Sequence, residues 1–172
     1  MRYASIDKFE IINGTGIGVS LFVQGCHFHC NNCFNPSTWD FNGGYEWNDE
    51  VKKYFLQLAG KNYIKRISIL GGEPLCDENV LIVFDLINAI KKLYPSKLIW
   101  LYTGYTWEDI FTDTSSYESF IRKQLISICD YVVDGQYIDT LHKSNLLFKG
   151  SSNQRVINVL QSLETNCVVE EY

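Results

Sequence analysis

The sequence predicts an α/β fold in which mostly parallel strands form a partial, open β/α barrel. Short segments that are apolar throughout alternate with helical segments of about three to four turns, which is typical of a sheet covered by crossover helices. The 172 residues are too few for a closed eight-stranded barrel, which needs about 250. No linker or repeat divides the chain, so we expect a single domain over residues 1–172.

Four segments are predicted strands because β-branched and aromatic residues dominate them, namely residues 19–24, 66–70, 97–102 and 131–133. A cysteine-rich loop follows the first strand, and the sequence GGEP follows the second. Thr103 and Asp134 end the third and fourth strands. Because the carboxyl ends of parallel strands meet at one edge of a sheet, we expect these four loops to lie close together.

Three helices are predicted from the spacing of their apolar residues, over residues 48–59, 77–93 and 117–128. Asn48 is a suitable residue to cap the first helix. Gly60 is expected to take the left-handed conformation just past its end.

Net charge and the distribution of apolar residues disfavour nucleic-acid-binding, membrane-spanning and exported proteins. A net charge of −5 disfavours nucleic acid as a partner, and the apolar runs are shorter than the roughly 20 residues of a membrane-spanning helix. The first residues lack the apolar core of an export signal, so a cytoplasmic location is expected. Closely spaced cysteines in that compartment are more often metal-binding or catalytic than disulfide-bonded.

The stretch GCHFHCNNCFN contains Cys26, Cys30 and Cys33 in the spacing C-x3-C-x2-C. A structural zinc site needs four ligands; His29 or His142 is available as the fourth, but no second cysteine pair exists. A redox pair formed by Cys30 and Cys33 leaves Cys26 unexplained. Three soft thiolates in one loop suit an iron–sulfur cluster with one open iron.

This spacing, followed by a strand and by GGEP, resembles the radical S-adenosylmethionine superfamily. The resemblance implies the open-barrel fold of that superfamily and one 4Fe-4S cluster held by the three cysteines, with no catalytic residue beyond these ligands. It also implies that S-adenosylmethionine binds the open iron and is cleaved to a 5′-deoxyadenosyl radical. Gly71, Gly72, Glu73 and Pro74 would hold the methionine group, since glycines allow close approach and Glu73 can accept from an ammonium.

Further segments, among them NGTG, WLYTGY, YVVDGQY and LFKGSSNQRVI, are similar to the activating proteins of anaerobic ribonucleoside-triphosphate reductase. Asn32 before Cys33 and Phe34 after it favour this subfamily, and all three are expected at the cofactor. The resemblance implies an oxidoreductase that places a glycyl radical on the large subunit of that reductase, with an electron donor such as flavodoxin. The C-terminal tail, residues 158–172, lies outside this resemblance and has no assigned role.

Four residues are weaker candidates for contacts with the substrate or the nucleoside: Thr103, Asp134, Ser152 and Asn153. The first two stand at strand ends that face the expected site. The last two belong to GSSNQR, which is interpreted as the start of a helix. Each has an ordinary alternative role in a turn or a helix cap.

Two other functions remain open from the sequence. The chain also suits a different radical enzyme, either the activase of another glycyl radical enzyme such as pyruvate formate-lyase or an enzyme making a deazaguanine precursor. The alternative from another class is a non-catalytic, zinc-stabilised binding module. Cluster formation distinguishes the radical enzymes from the zinc module.

Overall fold

A computed structural model describes residues 1–172. The strands are β1 (Arg2–Glu10), β2 (Gly18–Val23), β3 (Tyr45–Glu46), β4 (Arg66–Gly71), β5 (Leu98–Tyr102), β6 (Tyr131–Asp134) and β7 (Arg155–Asn158). The α-helices are α1 (Asp49–Ala59), α2 (Asp77–Leu93), α3 (Trp107–Thr112), α4 (Tyr117–Ser127) and α5 (Val159–Thr165). The 3-10 helices are Pro36–Thr38 and Asp139–Leu141. None of the helices is long and apolar enough to cross a membrane.

The seven strands form one open sheet in the order β3-β1-β2-β4-β5-β6-β7. Strands β2, β4, β5 and β6 are parallel, whereas β1, β3 and β7 pair antiparallel with their neighbours. The predicted α/β class with a mostly parallel central sheet is confirmed, and the four predicted strands are the four parallel ones. Sequence analysis missed the antiparallel strands because no residue of β1 is fully buried and β7 contributes only two apolar residues.

One face of the sheet forms the main hydrophobic core. Successive side chains of a strand point to opposite faces, so Val19, Leu21, Ile67 and Ile69 share one face. They belong to a cluster of 24 buried residues that includes the apolar faces of α1, α2 and α4. The helices therefore cover this face of the central strands.

The opposite face carries a buried ion pair at the amino end of β4. Arg66 is 0% exposed, and its Nη1 donates to Oε1 of Glu10 and to the carbonyl of Asn13, both at 2.6 Å. Gly14 has φ of +121°, and a Cβ there would lie 2.6 Å from Arg66 and from Trp100. Only glycine therefore allows the loop after β1 to close over the guanidinium.

The ionised state of the Glu10 carboxylate depends on this ion pair. Burial opposes its ionisation, but hydrogen bonds from Arg66, Ser20 and two backbone amides outweigh burial and lower its pKa from 4.5 to about 2. Ser20 Oγ donates to the same carboxylate at 2.6 Å. The first hairpin is thus attached to the sheet through charge as well as through strand pairing.

Two local predictions were wrong. Gly60 caps α1 with φ of −73°, because its N–H continues the helical pattern to Leu56 instead of reversing the chain. The segment Gly150–Arg155 leads into β7 and does not start a helix, since Val156 and the next residue are β-branched and pair with β6. The following helix, α5, is capped by the Asn158 side chain. The predicted cap of α1 by Asn48 is confirmed, with Val51 N–H donating to it at 3.0 Å.

Replacing Glu10→Gln is expected to lower the free energy of unfolding by about 3–5 kcal/mol, because it leaves the buried Arg66 charge without its partner. Denaturant unfolding measures this loss. Since the pKa of Glu10 falls from 4.5 to about 2, its contribution is complete above pH 4.5 and disappears as the pH falls toward 2.

The matched control is Asp85→Asn, which removes an ion pair between Lys52 and a carboxylate that is 67% exposed. An exposed pair contributes about 0–1 kcal/mol, so this variant should unfold almost as the parent does. Equal effects of the two substitutions would contradict the role given to the buried pair.

Candidate functional site

A cavity of about 160 Å³ lies at the carboxyl edge of the parallel strands. Loops that follow β2, β4, β5 and β6 all contribute to its wall, as predicted from their order along the chain. The lining residues are Cys26, Phe28, Cys30, Cys33, Phe34, Asn35, Trp39, Leu70, Gly71, Gly72, Glu73, Tyr102, Thr103, Gly104, Gly135, Tyr137 and Gln154.

The cysteine loop is closed at its base by two backbone hydrogen bonds. Gly25 N–H donates to the carbonyl of Thr38 at 2.8 Å, and Cys26 N–H donates to the carbonyl of Trp39 at 3.1 Å. Gly25 has φ of +95°, and a Cβ there would lie 2.2 Å from the ring of Phe41. The first cysteine is therefore fixed directly after β2.

Within the loop the chain turns sharply between the cysteines. His29 and Asn32 have φ of 46° and 54°, and Cys33 N–H donates to the carbonyl of Cys30 at 3.2 Å. Asparagine and histidine tolerate this left-handed conformation better than most residues. These turns bring all three thiols to one cavity.

Cys26, Cys30 and Cys33 are free thiols, and each is partly buried. No three His, Cys, Asp or Glu side chains converge closely enough to share one metal ion. A tetrahedral zinc site needs such convergence, whereas in a 4Fe-4S cluster each cysteine binds a different iron. Three cysteines that line one cavity supply the three thiolate ligands of such a cluster.

Neither histidine suggested as a fourth ligand lines the cavity of the three thiols. The ring of His29 stacks on Trp39 with 4.7 Å between centroids, and Nδ1 of His142 lies 2.8 Å from the carbonyl of Gly150. Burial raises the pKa of the Cys26 thiol. Binding of iron at this cysteine would release its proton, because the thiolate is the ligand.

The GGEP segment crosses directly beneath the cysteine loop. Gly71 has φ of +109°, and a Cβ on Gly72 would lie 2.4 Å from the carbonyl oxygen of Gly25. Both glycines are therefore required by close backbone approach. Pro74 is buried and does not line the cavity.

Glu73 connects three loops of the site. Its backbone N–H donates to the carbonyl of Gly25 at 2.7 Å. Its carboxylate, 2% exposed, accepts from Leu75 N–H at 2.9 Å, and from Thr103 Oγ1 and Gly104 N–H at 2.8 Å each. Burial raises the pKa of this carboxyl to about 7, although the hydrogen bonds act in the opposite direction. Three donors leave the carboxylate able to accept one more hydrogen bond.

The two residues beside Cys33 lie in different places. Phe34 is 65% exposed, lines the cavity at its rim and packs against Tyr137 with 5.1 Å between ring centroids. Asn32 lies outside the cavity, where its Nδ2 donates to Oδ2 of Asp139 at 2.9 Å. Asn32 is therefore placed to hold the cysteine loop against the segment after β6.

Three of the four weaker candidates line one of two cavities. Thr103 lines the cysteine cavity, but its hydroxyl is engaged with Glu73. Asp134 and Asn153 line a neighbouring cavity of about 480 Å³, where Asp134 is buried and accepts from Arg155 Nε at 3.0 Å. Ser152 is exposed and lines neither cavity.

Sequence reasoning missed several residues of the wall. Gln154 accepts from Gly150 N–H at 2.9 Å and donates to the carbonyl of Gly135 at 2.9 Å, which joins the loop before β7 to the end of β6. Gly135 followed a predicted strand, so its position was a usable signal. Tyr102 ended a predicted strand and offered the same signal, whereas Trp39 offered none. Trp39 Nε1 and the Tyr102 hydroxyl are buried without a hydrogen-bond partner.

Comparison with known protein families agrees with the three cysteines as ligands of an iron–sulfur cluster. The family model described as a 4Fe-4S single cluster domain matches residues 12–157. This range includes the cysteine loop, the GGEP segment and every other part of the cavity wall.

Curated relatives match almost end to end. The anaerobic ribonucleoside-triphosphate reductase-activating protein of Enterobacteria phage T4 is 33% identical over 156 residues, which is 91% of this chain and 93% of the relative. The protein with that name from Escherichia coli (strain K12) is 32% identical over 91% of this chain and 97% of its own length. The one from Pasteurella multocida (strain Pm70) is 29% identical over 94% and 99%. The chain belongs to the family of 4Fe-4S single cluster domain proteins that contains the anaerobic ribonucleoside-triphosphate reductase-activating proteins.

Proposed function

We propose that this protein is an iron–sulfur enzyme that activates anaerobic ribonucleoside-triphosphate reductase by generating a glycyl radical on it. The observation that carries the proposal is the single cavity in which three cysteine thiols face the buried Glu73 loop. The chain-long similarity to activating proteins supports the same function. The zinc module and the other radical enzymes are not favoured.

The cofactors are one 4Fe-4S cluster and S-adenosylmethionine. When both are bound and the cluster is reduced, they supply a 5′-deoxyadenosyl radical able to take a hydrogen atom from a glycine α-carbon. In our proposal Cys26, Cys30 and Cys33 hold three irons and leave one for the cofactor.

The GGEP loop is proposed to receive the methionine end of S-adenosylmethionine. Gly71 and Gly72 allow the backbone to approach the ligand, and the fourth acceptor position of the Glu73 carboxylate receives its ammonium. Thr103 orients that carboxylate through the hydrogen bond at 2.8 Å. Pro74 shapes the loop from behind, and Phe34 covers the cavity rim.

Around this centre we propose the remaining roles. Asn32 positions the cysteine loop, while Asp134 and Asn153 face the nucleoside or the substrate in the neighbouring cavity, with Ser152 at its outer edge.

The sheet is proposed to curve as a partial barrel of the radical S-adenosylmethionine type, whose open side admits the glycine-bearing loop of the reductase large subunit. The chain acts as a single domain in the cytoplasm, with an electron donor such as flavodoxin.

Mixing the anaerobically reconstituted protein with the reductase, a reductant and S-adenosylmethionine is expected to produce a glycyl radical doublet in the paramagnetic resonance spectrum. The reductase without the activating protein is the control. No doublet on the reductase, together with a doublet on pyruvate formate-lyase, would assign the chain to a different activase.

Replacing Cys26, Cys30 or Cys33 by alanine is expected to abolish cleavage of S-adenosylmethionine and to reduce the iron content, because a cluster iron loses its protein ligand. The exposed Cys167→Ala is the matched control and should retain both. Far-ultraviolet circular dichroism checks that each variant is folded. Full cleavage activity in Cys33→Ala would contradict the assignment of the ligands.

Glu73→Gln is expected to weaken S-adenosylmethionine binding by about ten- to a hundredfold, since a charged hydrogen bond contributes about 1.5–3 kcal/mol. Iron content should remain near that of the parent, and the exposed Glu164→Gln serves as control. Binding is measured by calorimetry on the reconstituted protein.

The pH dependence of S-adenosylmethionine binding by the parent protein is a second test of this contact. Burial raises the pKa of Glu73 to about 7, so the carboxyl is protonated in the free protein below that pH and must ionise to bind an ammonium. Affinity of the parent should therefore rise with pH up to about 7 and then level off. A parent whose affinity is the same at pH 6 and pH 8 would argue against an ammonium contact at Glu73.

A further inference from the structure

Trp39 forms the wall of the cavity beside the first cysteine. It follows the 3-10 helix Pro36–Thr38, and its carbonyl accepts the N–H of Cys26 at 3.1 Å. Its ring stacks on His29 with an interplanar angle of 24°. Backbone and ring contacts together hold the indole in one orientation next to a cysteine.

The indole Nε1 of Trp39 is buried and has no acceptor within the protein. An indole N–H is only a donor, and leaving it unsatisfied costs about 1–3 kcal/mol. Because buried polar groups normally have partners, this one calls for an acceptor outside the chain. Trp39 lines the cavity that contains all three cysteines, so a group bound there is the available source.

We propose that the indole N–H of Trp39 donates a hydrogen bond to a sulfur of the 4Fe-4S cluster. Trp39 also borders a second hollow, shared with Cys26 and His27, that does not include Glu73 or Thr103. Trp39 thus borders Cys26 in both hollows. This position favours a cluster sulfur as the acceptor over S-adenosylmethionine.

The hydrogen bond would make the cluster easier to reduce. Reduction adds negative charge to the cluster, and a donor directed at sulfur stabilises the more negative state. Trp39 would therefore set how readily the electron donor loads the site. The inference rests on the proposed function only in requiring that the cluster is present.

The test is a redox titration of the cluster in Trp39→Phe, without S-adenosylmethionine, in which paramagnetic resonance measures the reduced fraction. We expect the equilibrium constant for reduction to fall about tenfold, which corresponds to a midpoint about 59 mV more negative. Trp47→Phe is the matched control, because Trp47 packs against Tyr3 and Phe55 and is absent from the cavity wall. An unchanged midpoint in Trp39→Phe, or a change that appears only with S-adenosylmethionine, would overturn the proposal.

A second measurement uses the parent protein and so does not depend on the folding of a variant. Protein carrying ¹⁵N in the indole of its tryptophans should show a ¹⁵N hyperfine coupling to the reduced cluster, since Trp39 is the only tryptophan in the cavity wall. Absence of that coupling would refute the hydrogen bond. Failure of the parent to form any cluster would instead count against the proposed function.

Discussion

The buried carboxylate of Glu73 is the interaction on which the geometry of the site depends. The backbone N–H of Glu73 donates to the carbonyl of Gly25, beside the first cysteine. Its carboxylate accepts from Thr103 and Gly104 in the loop after β5. Removing such a group from water is costly, so it persists only because three donors satisfy it. Burial still raises its pKa to about 7, which leaves the site ready to stabilise a cation. One side chain therefore both joins the loops and provides the charge that the proposed cofactor needs.

Strand β4 connects this site to the rest of the fold. It begins with the buried Arg66, which holds the loop after β1, and it ends at the glycines that precede Glu73. Its apolar side chains on the other face belong to the helix-covered core. Both ends of this strand are held by buried polar contacts and its middle by hydrophobic packing, so the site is supported by a strand that is fixed along its length.

The cavity combines satisfied and unsatisfied polar groups, and the difference is informative. The carboxylate of Glu73 has protein partners, whereas the indole of Trp39 and the hydroxyl of Tyr102 have none. Groups left unpaired in the wall of a ligand cavity are those that a bound cofactor can satisfy, and they mark where cofactor contacts should be sought.

The sequence by itself determined the α/β class, the four parallel strands, the long helices and the cysteine and GGEP motifs, because these follow from local periodicity and spacing. Tertiary structure decided the antiparallel strands β1, β3 and β7, since their pairing depends on neighbours that are distant along the chain. It also decided that Trp39 and Gln154 belong to the cavity wall and that Asn32 and Ser152 do not. Spacing indicates which residues can bind a ligand, but only the packing of distant loops determines which of them reach the same cavity.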